Sequence, residues 1–92
     1  MTKIYLDGYM DVPEDAIDKV KLSLTEHIKL TKSEKGCEKF EVNLSNTKAG
    51  RFEVSEIFSS KESFDAHQER VKNSDWGNIT KGYPRHYTVE EK

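Results

Sequence analysis

Cysteine is almost missing from this chain. Cys37 stands alone, so no disulfide can form within the chain, and a reducing compartment is expected. With histidines scattered at 27, 67 and 86, that single thiol gives no zinc-ligand spacing. No apolar run approaches the roughly 18 residues of a membrane helix, and the opening MTKIYLDGYM has no signal-peptide core. A cytoplasmic protein without a membrane partner is the expectation. An excess of one charge is also missing. The formal net charge is −2 with both signs mixed, and no basic stripe predicts nucleic acid. There is no Gly-rich phosphate loop, repeat or low-complexity tract, and no bound metal, flavin or haem is expected.

Apolar residues are 34% of the 92 positions and charged residues 35%. That supports a single domain over residues 1–92 with a thin core, for which association with a second copy is the usual remedy. The apolar positions are strongly patterned, which argues against disorder.

KIYLDGYMD alternates, with Ile4, Leu6, Gly8 and Met10 on one face and Tyr5, Asp7 and Tyr9 on the other, as in a strand. VPED reads as a helix start, followed by Ile17, Val20, Leu24, Ile28 and Thr31 at helical spacing. His27 borders that stripe, and Gly36 is expected as the C-cap. CEKFEVNLS and RFEVSEIF alternate across the polar turn SNTKAG, which predicts an antiparallel hairpin. SSKESFDAHQERV predicts a helix with a Ser cap and a Glu shortly after it. NSDWGNIT predicts a short helix, and Tyr83, Arg85, Tyr87 and Val89 alternate as a last strand. The order βαββαβ is the ferredoxin-like α+β arrangement: an antiparallel sheet with both helices on one face. The other face, holding Tyr5, Tyr9, Ser55 and Ile57, is half apolar and invites a partner sheet.

Two residues break this pattern. Phe64, His67 and Val71 share one helical face, so an imidazole stands where a core residue is expected. Glu56 alternates with Val54 and Phe58 on the sheet face that the helices cover. A carboxylate there must find a partner or stay protonated. His67, His27 and Arg85 are its candidate partners. His67 has two readings, a ring closing the core through a backbone bond or a base for a phenolic hydroxyl. Glu56 likewise reads as a buried anchor or as the group that orients a histidine. Trp76 suits packing in a lid segment, Cys37 a small buried apolar residue, and Asp7 and Asp11 solvated positions.

HIKLTKSEKGCEKFEV, RFEVSEIFSSKESFDAHQ and SDWGNITKGYPRHYTV together resemble the antibiotic biosynthesis monooxygenase family of dimeric α+β barrels, in its quinol monooxygenase branch. The matching features are Gly-Cys before the second strand, an acid in the third, and Phe-x-x-His in the second helix. The resemblance implies a homodimer with sheets packed face to face and one cavity per subunit between sheet and helices. It also implies O₂ chemistry on a quinol or phenol without metal, flavin or haem. His67 and Glu56 are then the expected catalytic pair, with His27, Trp76, Phe52, Phe58, Phe64, Leu24 and Arg85 around a small aromatic substrate. The haem-degrading branch of this fold fits poorly: His67 stands where that branch has Trp, and no histidine follows in the segment of Trp76 and Gly77. A small-molecule-binding or stress-associated dimer without catalysis is the competing expectation.

Overall fold

In the computed structural model, residues 2–92 are described. The alternating segments form the strands β1 (Ile4–Asp11), β2 (Cys37–Leu44), β3 (Arg51–Phe58) and β4 (Arg85–Glu91). The helices are α1 (Ile17–Lys32), α2 (Lys61–Lys72) and α3 (Asp75–Thr80), with a single 3₁₀ turn at Glu14–Ala16 leading into α1. The sheet is antiparallel throughout, in the order β2-β3-β1-β4. This is the ferredoxin-like α+β arrangement expected from the alternation.

Register decides which side chains meet. Glu56 lies between Phe40 of β2 and Leu6 of β1, in one row across the sheet. Leu6, Met10, Phe40, Val42, Phe52 and Val54 are buried beneath the helices, joined by Val20 and Leu24 of α1. Phe52 and Phe58 are completely enclosed. β4 is an edge strand exposed along its whole length, which leaves Tyr87 and Val89 uncovered. No described helix is long and apolar enough to cross a membrane.

Several local expectations change. α1 ends at Lys32 with Ser33 as C-cap, and Gly36 belongs to the turn beyond it. There Gly36 takes φ +92°, and a Cβ would lie 2.5 Å from Ser63 Cβ, so glycine alone lets this turn pack on the start of α2. The cap of α2 pairs Ser60 with Ser63, not with a glutamate. Ser63 N–H donates to Ser60 Oγ at 3.1 Å, and Ser60 N–H donates back to Ser63 Oγ at 3.2 Å. Tyr83 precedes β4 rather than joining it, since Pro84 has no N–H for the ladder. Asp11 is not free but accepts two bonds from Arg51, at 2.8 and 3.1 Å. Cys37 is half-buried, not enclosed.

Candidate functional site

The turn after α1, the inward face of α2 and the middle of β3 converge on His67. The ring is 3% exposed and packs near Phe58 (ring centroids 4.8 Å apart) and Phe40 (5.8 Å). Its Nδ1 lies 2.7 Å from Glu34 Oε1. The second oxygen of Glu34 accepts from Arg70 Nε, and Arg70 also donates to Thr31 Oγ1 at 2.9 Å. His67 and Arg70 are three residues apart on α2, hence on adjacent turns of one face. Thr31, Glu34, His67 and Arg70 thus tie α1, its following turn and α2 together.

Nε2 of His67 faces β3, where Glu56 Oε1 lies 3.8 Å away. That is beyond a hydrogen bond. Among the described residues Oε1 has no hydrogen-bond partner, and Glu56 is 7% exposed. Burial pushes the Glu56 carboxyl up to about 7, and the negative charge of Glu34 adds to the rise. Burial lowers the His67 imidazole. The bond to Glu34 and its charge pull the other way, and Arg70 lowers it further.

His27 is the third polar group, and it is buried in α1 rather than bordering the stripe. Its ring stacks on Trp76 with centroids 4.7 Å apart and planes 5° off parallel, and its centroid lies 6.1 Å from that of His67. Nδ1 of His27 is buried without a partner among the described residues. Burial drives this imidazole down to about 3, with smaller contributions from His67 and Arg70. It is therefore neutral at ordinary pH.

A groove of about 490 Å³ opens between α1 and α3, lined by Leu22, Leu30, Trp76 and Ile79 with His27 and Arg70. Trp76 is placed there by Ser74, whose side chain caps α3 by accepting from Gly77 N–H at 3.1 Å. Of the residues expected around a substrate, His27 and Trp76 line this groove. Leu24, Phe52 and Phe58 lie in the core, and Phe64 packs against Phe58 at 5.7 Å. Arg85 does not reach Glu56. It projects from the exposed edge strand, donates to the Thr80 carbonyl and contacts Met10 Sδ at 3.4 Å. Nor, among the described residues, does His67 bond a backbone carbonyl: its Nδ1 goes to Glu34 and its Nε2 faces Glu56. Glu34 and Arg70 escaped the sequence reading. The available signals were an acid two residues before the turn glycine and an arginine three residues after His67. Among the described residues no group of three or more His, Cys, Asp or Glu side chains is arranged to hold a metal ion.

The antibiotic biosynthesis monooxygenase family model matches residues 3–76. No curated protein matches the chain. Among solved structures, protein SO0527 from Shewanella oneidensis is similar at 19% identity, with 99% of this chain and 91% of that one covered and a TM-score of 0.79. A Caulobacter crescentus protein assigned by name to the antibiotic biosynthesis monooxygenases superposes with a TM-score of 0.75, at 16% identity over 98% of this chain and 87% of that one. Rv0793 from Mycobacterium tuberculosis is 21% identical over 98% of this chain and 93% of its own, with a TM-score of 0.70. At these identities the structural likeness is one of fold. The family match spans most of the chain and takes in Glu34, Glu56, His67 and Trp76: this protein belongs to the antibiotic biosynthesis monooxygenase family.

Proposed function

We propose that the chain acts, as a homodimer, as a cofactor-independent monooxygenase on a quinol or other phenolic small molecule. The observation that carries this reading is the approach of His67 Nε2 to Glu56 within an aromatic shell, near a groove of about 490 Å³ that His27 and Trp76 line and that His67 and Glu56 do not. Family membership supports the same reaction class.

The chemistry asks little of a protein. A deprotonated quinol is electron-rich enough to pass one electron to O₂, and the radical pair recombines at a ring carbon. Loss of water from the hydroperoxide leaves one oxygen atom on the ring as a hydroxyquinone and releases the other as water. The site must bind the ring, accept the hydroxyl proton and exclude solvent. His67 is the base, its Nε2 facing Glu56 and its hydrogen bond among the described residues made through Nδ1. Glu56 is the adjoining proton carrier, because a carboxyl near pH 7 exchanges protons in both directions. His27 and Trp76, which line the groove, bind the ring, and the His67 ring centroid lies 6.1 Å from that of His27. Phe58, Phe64, Phe52 and Leu24 form the apolar backing.

Oxygen uptake with a panel of hydroquinones and naphthols, comparing wild type with His67→Ala, tests the reading. Uptake by wild type and none by a folded, dimeric variant is the expected result. No uptake by wild type on any panel member favours a binding protein without catalysis. Equal uptake by both proteins removes His67 from the reaction.

A further inference from the structure

The structure contains one polar group that faces the His67 ring and has no role in the reaction just described. Glu34 sits in the turn between α1 and β2, outside the groove, and its side chain is 17% exposed. It spans two hydrogen-bond donors, the Arg70 guanidinium on one oxygen and His67 Nδ1 on the other. A carboxylate paired with guanidinium can only accept, so the hydrogen of the 2.7 Å bond belongs to the imidazole. Which ring nitrogen of a histidine carries the proton is set by the bond that the other makes. Here the bond to Glu34 leaves Nε2 bare, and Nε2 is the atom that faces Glu56.

We propose that Glu34, anchored by Arg70, is the positioning residue of this site: it holds His67 as the Nδ1–H tautomer and aims the Nε2 lone pair at the buried Glu56 carboxyl. The role rests on the function proposed above only for its effect on turnover. The tautomer itself is a property of the folded chain. The groups that face His67 are few, and they agree with this arrangement. Glu34 and Arg70 lie on one side, Glu56 on β3 opposite, and His27 on α1 presents a neutral ring. If the proton sat on Nε2 instead, Nδ1 and Glu34 would be two acceptors 2.7 Å apart. The turn geometry serves the same end. Glu34 N–H donates to the Thr31 carbonyl at 3.0 Å, and the Glu34 carbonyl accepts from Cys37 N–H at 3.3 Å, so the backbone beneath the carboxylate is fixed at both ends. Thr31, fully buried in α1, holds Arg70 in turn.

The test is the imidazole nitrogen spectrum of ¹⁵N-histidine-labelled protein at neutral pH. Wild type is expected to show His67 with Nδ1 protonated and Nε2 bare. An Nε2–H tautomer in wild type overturns the proposal without any variant. In folded Glu34→Gln the single tautomer is expected to give way to a mixture, because an amide offers both a donor and an acceptor. Glu34→Asp, which keeps the charge, is expected to retain Nδ1–H. An unchanged tautomer in Glu34→Gln overturns the proposal. Where wild type oxidises a quinol, Glu34→Gln is expected to lose about tenfold or more in kcat with KM little changed, because a positioned proton-transfer group contributes about 10²–10⁴-fold. An unaltered kcat overturns the positioning role. Absence of turnover in wild type counts against the proposed function alone, since the tautomer is read without substrate.

Discussion

Glu56 Oε1 and His67 Nε2 face each other at 3.8 Å, from the sheet and from α2, and no described residue hydrogen-bonds that oxygen. Two polar atoms on opposed apolar surfaces have thus been brought within one small displacement of a hydrogen bond. Burial of the Glu56 carboxyl, with the Glu34 charge adding to it, makes its protonation count in folding stability.

Glu56→Gln should alter how stability depends on pH. With the folded carboxyl near 7 against an ordinary 4.5, the folded chain binds more protons than the unfolded chain between those values. Stability from this group is therefore lost as pH rises from about 4.5 to about 7, by about 3 kcal/mol in all. Glutamine removes that loss. Urea denaturation of both proteins at pH 5 and pH 8 checks it: the variant gains on wild type at the higher pH. Parallel profiles would mean that Glu56 titrates alike in both states.

His27→Phe should do the reverse. Burial holds His27 down to about 3 against an ordinary 6.5, so the unfolded chain takes up a proton first as pH falls. Stability is lost from about 6.5 down to about 3, by as much as about 5 kcal/mol. Phenylalanine keeps a ring to stack on Trp76 and removes the unpartnered Nδ1, a group whose burial costs about 1–3 kcal/mol. The variant is expected to be at least as stable at pH 7 and clearly more stable at pH 4. The His27 and Glu56 slopes oppose each other between 4.5 and 6.5, so wild type should look flat there and each variant should expose the other's slope. An acid midpoint unmoved in His27→Phe would refute this account.

Gly36→Ala should destabilise the chain by about 1–3 kcal/mol, the usual range for a residue forced into a sparse backbone region. The added Cβ meets Ser63 Cβ at 2.5 Å in a turn of φ +92°. The strain falls on the segment that carries Glu34 to His67. Thermal unfolding gives the stability change, and the His67 nitrogen spectrum should broaden with it. A neutral substitution would show that the turn can relax without cost.

Periodicity made most of this fold legible. Strict alternation over Ile4–Asp11 and Arg51–Phe58 admits one buried face each, and a slip of one residue would expose Leu6 and Phe52 together. The same pattern exposed His67 and Glu56, because a polar residue at an apolar position stands out against its period. Glu34 breaks no period, since it lies in a turn where acids are ordinary, and only the tertiary approach of α2 makes it a partner of His67. Arg85 failed for the opposite reason. Its register puts it on the same sheet face as Glu56, yet it pairs with Met10, four residues along β1 from Leu6, and bonds locally instead.

The face of the sheet away from the helices offers the last prediction. Tyr5, Tyr9, Ser55 and Ile57 are each only part-exposed there, and cations lie against both tyrosines: Arg51 is 3.5 Å from the Tyr9 ring centroid and Lys92 5.1 Å from that of Tyr5. Arg51 is fixed by Asp11, so the edge of this face is ordered around an apolar middle. A second copy packed on it would bury what remains exposed of Ile57, a fraction of the about 1.5–3 kcal/mol that full burial of such a side chain is worth. Ile57→Asp should therefore convert a dimer to a monomer in sedimentation at micromolar concentration. It should leave the His67 and Glu34 signals in place, because both lie on the opposite side of the sheet. A surface substitution far from special contacts usually changes monomer stability by about 0.5 kcal/mol or less, so a large fall in melting temperature on dissociation would measure what the second copy contributes. Wild type sedimenting as a monomer under the same conditions would overturn the dimer.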